Sequence, residues 1–298
     1  MNILVTGATG FVGKRLVQRL TELGHEVMGT YEKGARPKDY RPLELIDESS
    51  IKRAVDGSWQ WVVHLAAVSG TKEAKANPEK AWNVNVVATK ALITALAKLR
   101  TRPQVLLVSS SDVYGEGNGR RSVESDPLAP RSLYAATKAA GELAASCVAR
   151  ETGTNLIIVR PWPHTGPGQQ GDRLLTRWVD ELKKKDPKPM GDPNTVRDYL
   201  HVDDVVSAYC ELVGKSPRGG IYNVASGTGV RFGDLFEMVC ETMGVKASLT
   251  PYDGPSEAAT YSVGDPGKIK VDTDWKPAKS VRDAVEDLIK NRTHAETH

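Results

Sequence analysis

The first thirteen residues, MNILVTGATGFVG, leave this chain few ways to fold. Ile3, Leu4 and Val5 make a short apolar run of the kind that forms a strand buried on both faces, and the run breaks at Gly7. Gly7, Gly10 and Gly13 then recur at three-residue spacing and lead into an amphipathic stretch carrying Leu16, Val17, Leu20 and Leu23. Each glycine has its own reason to be there. Gly7 permits a tight turn off the strand, Gly10 lets a ligand approach the backbone, and Gly13 lets the helix lie close to the strand. The helix N-terminus offers free N–H groups and a partial positive charge. Strand, glycine turn and helix together predict a cradle for a dinucleotide pyrophosphate; the alternative is a glycine-rich turn that holds no ligand.

The rest of the first half repeats the rhythm. Gly24 closes the helix, and HEVMGT (25–30) reads as a second strand. The residue ending that strand separates the two nicotinamide dinucleotides, because an acid there accepts bonds from the adenosine ribose and repels a 2′-phosphate. Tyr31 stands at that place, followed by Glu32, Lys33 and Arg36, which favours NADP(H) over NAD(H). The alternatives are that the two cations are solvated loop charges and that Glu32 turns inward. PLELID (42–47) reads as a third strand, with Glu44 or Asp47 free to meet the adenine amine or to cap the next helix. WVVHLAA (61–67) is a buried strand whose small end, Ala66 and Ala67, lets a cofactor lie across it, and His64 reads as a packed residue. A long helix is predicted over Glu79–Leu99, carrying Asn85, then a strand over Val105–Val108, a helix from about Ser132, and a strand over Leu156–Val159. Strands alternating with helices predict an α/β protein with a doubly wound parallel Rossmann sheet. Beyond Arg160 prolines and glycines break the alternation, and a smaller interleaved C-terminal substrate domain is expected. The predicted division is 1–162 for the dinucleotide-binding domain, with a returning segment near 195–225, and 163–298 for the remainder.

Charge and composition exclude several classes. The net charge of +3 comes without any Lys/Arg run interleaved with aromatics, so no nucleic-acid partner is expected. Cys147, Cys210 and Cys240 are far apart, form no metal-ligand spacing, and read as helix packing residues; no metal is expected. No apolar run reaches the roughly 18 residues needed to cross a bilayer, and the first strand starts at residue 2, so a cytoplasmic protein without a membrane partner is expected. The last residues, Thr293–His298, are expected to fray.

The chemistry concentrates at three residues. Tyr134 and Lys138 are four apart on one predicted helix and therefore share a face. A tyrosine with an ordinary pKa near 10 is a poor acid–base group, and a neighbouring ammonium favours its ionised form. Ser110, at the end of the strand before, can bond the same substrate oxygen. Such a trio activates a carbonyl or an alcohol for hydride transfer. A Ser-His-Asp hydrolase is disfavoured, because the chain lacks a G-x-S-x-G elbow.

TGATGFVG (6–13), HLAA (64–67), SSSDVYG (109–115) and YAATK (134–138) resemble the extended short-chain dehydrogenase/reductases, a family of nucleotide-sugar epimerases, dehydratases and reductases. RPWPHTGPGQ (160–169), GDPNTVRDYLHVDDVV (191–206), IYNVASGTGVRFGDL (221–235) and VGDPGKIKVDTDWKPAKS (263–280) continue the likeness over nearly the whole chain and are most similar to the family's reductases of GDP-linked 4-keto-6-deoxy sugars. The resemblance implies reduction of a 4-keto-6-deoxy nucleotide sugar by NAD(P)H in a homodimer, with a 4-epimerase or 4,6-dehydratase as the alternative. It assigns Tyr134 as general acid, Lys138 as the residue that tunes it and binds the nicotinamide ribose, Ser110 as its partner and Asp112 as a further acid. It adds Thr9, Phe11, Val12, Leu65, Asn85, Ser109 and Pro161 to the cofactor site, and Ser111, His164, Arg173, Arg197 and Arg231 to the substrate site. Two departures touch the diphosphate: Pro163 replaces the family's Asn, and the segment Asp253–Glu257 lacks its usual arginine. A non-catalytic dinucleotide sensor would not need the trio.

Overall fold

The computed structural model describes residues 1–32, 37–117, 119–250 and 260–294. At its centre is a seven-stranded parallel sheet: β1 (Asn2–Thr6), β2 (Glu26–Tyr31), β3 (Tyr40–Pro42), β4 (Trp61–His64), β5 (Gln104–Val108), β6 (Leu156–Pro161) and β10 (Gly220–Val224). The spatial order is β10-β6-β5-β4-β1-β2-β3. The winding reverses between β1 and β4, and a crevice opens at the carboxyl ends of strands at such a point.

The period of two along each strand sorts the apolar side chains into two cores. Ile3, Val5, Trp61, Val63 and Leu106 face one layer, with α1 (Phe11–Glu22), α8 (Val202–Lys215) and α10 (Gly267–Thr273). Leu4, Val62, Val105 and Leu107 face the other, with α2 (Glu48–Val55), α5 (Thr89–Ala97) and α6 (Leu133–Thr152). A third core joins α7 (Leu174–Leu182), α9 (Phe232–Met243) and α11 (Val281–His294), where Trp178 meets Phe232 and Phe236 edge to face at 5.7 and 5.2 Å. Short strands complete this half. β7 (His164–Thr165) pairs with β9 (Leu200–His201), and β8 (Val196–Asp198) lies between β11 (Gly229–Arg231) and β12 (Tyr261–Ser262).

Three expectations are corrected. The third strand is Tyr40–Pro42 rather than 42–47; Leu43 and Leu45 are buried off the sheet, and Asp47 caps α2 by accepting from the Ser49 N–H. The helix expected over 79–99 is present and unbroken from Pro78 to Ala97, but it is not regular. α3 (Thr71–Ala76) ends at Asn77, which caps α4 (Pro78–Trp82), and a π-helical turn over Asn83–Ala88 precedes α5. A proline at the first position starts a helix readily but cannot continue one. Third, Cys147 is exposed on α6, whereas Cys210 and Cys240 are buried. No helix among the described residues is long and apolar enough to cross a membrane, and no group of three or more His, Cys, Asp or Glu among them could hold a metal ion.

Candidate active site

The crevice is a cleft of about 640 Å³. Gly7, Thr9, Gly10, Phe11, Val12 and Gly13 line its floor, and Leu65, Ala66 and Ala67 follow from the end of β4. The glycines are there for measurable reasons. Gly7 has a φ of +69°, and a Cβ on it would come within 2.8 Å of the Ala66 nitrogen. A Cβ on Gly13 would lie 2.2 Å from the Gly7 carbonyl oxygen. No side chain caps the N-terminus of α1 at Gly10, so its first-turn N–H groups remain available to an anion. The buried Ser109 hydroxyl, also in the lining, has no partner among the described residues. These residues fit a dinucleotide: the cradle leaves room at Gly10, and the N-terminus of α1 could hold an anionic group.

At the β2 end the lining is Thr30, Glu32, Leu43, Glu44 and Leu45. Tyr31 lies outside the cleft. Successive residues at a strand end point to opposite faces, and here the inward position falls to Glu32. Lys33 and Arg36 lie outside the described residues. Of the two acids near β3, Glu44 lines the cleft while Asp47 is committed to capping α2. Asn85 is also away from the cleft. The π turn aims its amide at the Val68 backbone, accepting from N–H at 2.9 Å and donating to C=O at 3.1 Å, with a further bond to Thr137. It shapes the loop after β4, whose Val68, Ser69 and Gly70 line the cleft.

Ser110, Ser111, Asp112, Tyr134 and Lys138 meet at the end of β5, and Pro161 closes β6 beside them. Ser132 caps α6 by accepting from the Ala135 N–H at 3.1 Å, and this sets the helix phase that turns Tyr134 and Lys138 to the sheet. Ser110 accepts from the Asp112 N–H at 3.2 Å and caps the 3₁₀ turn Ser111–Tyr114. The expected lowering of the Tyr134 pKa by Lys138 is corrected. Burial pushes Tyr134 up to about 12, the Asp112 charge adds to that, and only a hydrogen bond with Ser110 and the charge of Arg173 oppose it. The Lys138 ammonium instead donates to the Val108 carbonyl oxygen at 2.6 Å, and burial brings its pKa down to about 8 against the charge of Glu142. At neutral pH the tyrosine therefore carries its proton and the lysine its charge. Burial likewise raises Asp112, with Arg197 and Arg173 opposing.

The substrate-side candidates divide. His164 lines the cleft, stacked 6.2 Å from Phe11 and bonded to the Trp162 carbonyl at 2.9 Å. Arg173 lines it too, at the start of α7, and its guanidinium reaches across to Ser69. Arg197 does not: it donates to the carbonyls of Val196 and Thr260, and acts on the cleft only through its charge on Asp112. Its neighbour Asp198 fixes that direction, being buried and held by Ser226 and Gly227. Arg231 is turned to Asn194. The segment 253–257 lies outside the described residues. Trp162, Gln169, Gln170, Tyr199 and Tyr209 also line the cleft and were not anticipated. Trp162 and Gln169 fall within the RPWPHTGPGQ segment, so they were within reach; nothing marks Tyr209, on the far helix α8.

A model of the NAD dependent epimerase/dehydratase family matches residues 3–225. The GDP-6-deoxy-D-mannose reductase of Pseudomonas aeruginosa is 26% identical over 297 residues, covering 96% of this chain and 95% of that protein. Among solved structures, RMD from Pseudomonas aeruginosa complexed with NADPH superposes with a TM-score of 0.87 at 25% identity, covering 99% of each chain. The Thermus thermophilus UDP-glucose 4-epimerase complex with NAD superposes with a TM-score of 0.88 at 27% identity, covering 99% of this chain and 100% of that one.

Proposed function

Because this chain belongs to the NAD dependent epimerase/dehydratase family of nicotinamide-dependent enzymes, we propose that it reduces a 4-keto-6-deoxy nucleotide sugar. The observation that carries the reading is the Ser110–Tyr134–Lys138 trio opening onto the same cleft as the glycine cradle, with Tyr134 held in its proton-bearing form. A bound nicotinamide supplies the hydride. The chain's own residues do the rest. The Ser110 hydroxyl bonds the sugar carbonyl oxygen, and Tyr134 delivers the proton to that oxygen. Lys138, with its ammonium on the Val108 carbonyl at the end of β5, holds the nicotinamide ribose. Arg173 and the N-terminus of α7 lie at the opposite wall, where a diphosphate would gain charge-assisted bonds. The family's 4-epimerases and dehydratases use the same trio. The likeness to known epimerases and to the Pseudomonas aeruginosa reductase alike runs the length of the chain, and the reductase is preferred on the wording of the segments after residue 160 and on the cations that follow the second strand. The test is a panel of 4-keto-6-deoxy nucleotide sugars and ordinary nucleotide hexoses, with NADPH absorbance and products followed together.

The division of labour follows the cores: 1–162 with the returning α8 and β10 hold the cofactor, and the module of α7, α9 and α11 holds the nucleotide sugar. Exposed Trp82, Val87 and Leu143, on the adjoining α4–α5 run and α6, are the surface by which the chain would form a homodimer. Sedimentation at twice the chain mass is what that requires.

For the cofactor we propose NADP(H), on the cations Lys33 and Arg36 that follow the second strand in the sequence. Glu32 is the observation that favours NAD(H), since its position in the lining suits a carboxylate bonded to ribose hydroxyls. Calorimetric titration of NADPH and NADH against wild type, Arg36→Ala and Glu32→Gln separates the two. NADPH is expected to bind the wild type more tightly and to lose about 10- to 100-fold in Arg36→Ala, with NADH little changed. Tighter binding of NADH that weakens in Glu32→Gln would assign NAD(H).

A further inference from the structure

A second tyrosine reaches the cleft, and nothing in the proposed chemistry uses it. Tyr209 sits midway along α8 and is 1% exposed, yet it lines the cleft. Its hydroxyl makes no hydrogen bond with any described residue, and it is not among the atoms sealed from solvent. A buried tyrosine normally finds a partner for its O–H, because burying it unbonded costs stability. The other polar aromatic groups of the same core obey this. Tyr222 donates to Asp272 Oδ2 at 2.8 Å, and Trp275 Nε1 donates to the Ser207 hydroxyl at 2.9 Å. A phenylalanine would pack at position 209 equally well, so packing does not account for the hydroxyl.

The fold fixes which end of the cleft this hydroxyl serves. α8 lies between α1, which packs on β1 and β2, and α10, which packs on β10. It therefore covers the middle of the sheet, where β5 and β6 end at the trio, and not the β2 end with Glu32 and Glu44. Val12, Leu65 and Val108 line the cleft and pack on the same core as Tyr209. Val108 is also the residue whose carbonyl oxygen holds the Lys138 ammonium. Tyr134 packs on the core at the other face of the sheet. The reacting end of the cleft thus has an α6 wall that carries Tyr134 and Lys138, and an apolar α1–α8 wall. Among the four side chains of that second wall, the Tyr209 hydroxyl is the one polar group.

We propose that Tyr209 is a cofactor-binding residue: its hydroxyl donates a hydrogen bond to the nicotinamide end of the bound dinucleotide, whose ring lies against this apolar wall and leaves its other side to Tyr134 and the sugar. A flat, largely apolar ring with one amide group suits a wall of this composition, where a single placed polar group sets orientation. The carboxamide oxygen is the acceptor that such a ring offers. Burial raises the Tyr209 pKa, so the hydroxyl keeps its proton and is available as a donor.

The proposal rests on the reading of the cleft as a dinucleotide site, and its test needs no substrate. NADPH and NADH are titrated calorimetrically into wild type and Tyr209→Phe, beside ADP-ribose and 2′-phospho-ADP-ribose, which lack the nicotinamide. Without ligand, Tyr209→Phe is expected to melt at or slightly above the wild-type temperature, because no bond within the protein is lost. Its affinity for the preferred dinucleotide should fall about 3- to 10-fold, the worth of one hydrogen bond. Its affinity for the matching ADP-ribose should be unchanged. Tyr209→Met, which also lacks the hydroxyl, guards against a Phe variant that does not fold. Wild-type affinity for the dinucleotide in whichever variant folds overturns the proposal, as does an equal loss for the ADP-ribose fragment. A wild type that binds neither NADPH nor NADH would overturn the cofactor reading and this proposal with it. The expected pattern in a protein that turns over no nucleotide sugar would uphold Tyr209 and count against the proposed reaction alone.

Discussion

Tyr134→Phe is expected to fold, to bind the dinucleotide as the wild type does, and to lose about 10²- to 10⁴-fold in turnover, the range for one positioned general acid. Phe occupies nearly the same volume and lacks only the hydroxyl, so the packing of α6 against the sheet is kept. The hydroxyl matters because burial holds its pKa near 12, which keeps the proton on Tyr134 throughout the physiological range. That is the form needed to protonate a carbonyl oxygen. Ionisation would come only as pH rises toward that value, so no loss of the acid form is expected between pH 6 and about 9. The measurement is steady-state turnover alongside melting temperature and cofactor titration. Near-normal turnover would move the acid elsewhere, and Asp112, also raised by burial, would be next.

Gly13→Ala is expected to damage fold and cofactor site together. The new Cβ would sit 2.2 Å from the Gly7 oxygen and 2.8 Å from the Ala8 Cα. Both obstacles are backbone, so no side chain can swing away, and α1 must lift off β1. Overpacking of this kind costs about 1–3 kcal/mol or more, and each kcal/mol lowers the melting temperature of a chain this size by roughly 2–4 °C. Lifting α1 also withdraws its N–H groups from the pyrophosphate, and a loss of about 1.4 kcal/mol there is tenfold in affinity. Gly10→Ala makes the contrast, since its Cβ meets only the Gly7 oxygen, at 3.2 Å. It should melt near wild type and still bind dinucleotide poorly. A Gly13→Ala protein with wild-type melting and affinity would contradict the account of the cradle.

How far the sequence could be read follows from what each signal encodes. Apolar runs such as Val62–Val63 and Leu106–Leu107 mark strands buried on both faces, and the parallel sheet is legible from them. Hydrophobic period does not encode a π turn, so the turn that aims Asn85 at Val68 is invisible. Alternation at a strand end is sensitive to one residue, and that single step exchanged Tyr31 for Glu32 in the cleft. A motif places an arginine in the chain without giving its direction. Arg197 is turned to Thr260 while Asp198 beside it is pinned by a distant loop. The i, i+4 spacing of Tyr134 and Lys138 was plain. Their burial was not, because it depends on helices and strands remote in sequence, and burial is what reversed the expected direction of the tyrosine pKa.

The central claim is that this cleft performs a net reduction. An epimerase reduces its own transient ketone and recycles a bound cofactor, whereas a reductase consumes one reduced cofactor per turnover. The most direct measurement is therefore the stoichiometry of NADPH oxidation against sugar product, for 4-keto-6-deoxy nucleotide sugars and for ordinary nucleotide hexoses. The account predicts one NADPH consumed for each 4-keto sugar converted and no interconversion of hexose epimers. Epimer interconversion with catalytic or no added cofactor, and no NADPH consumed, would contradict it.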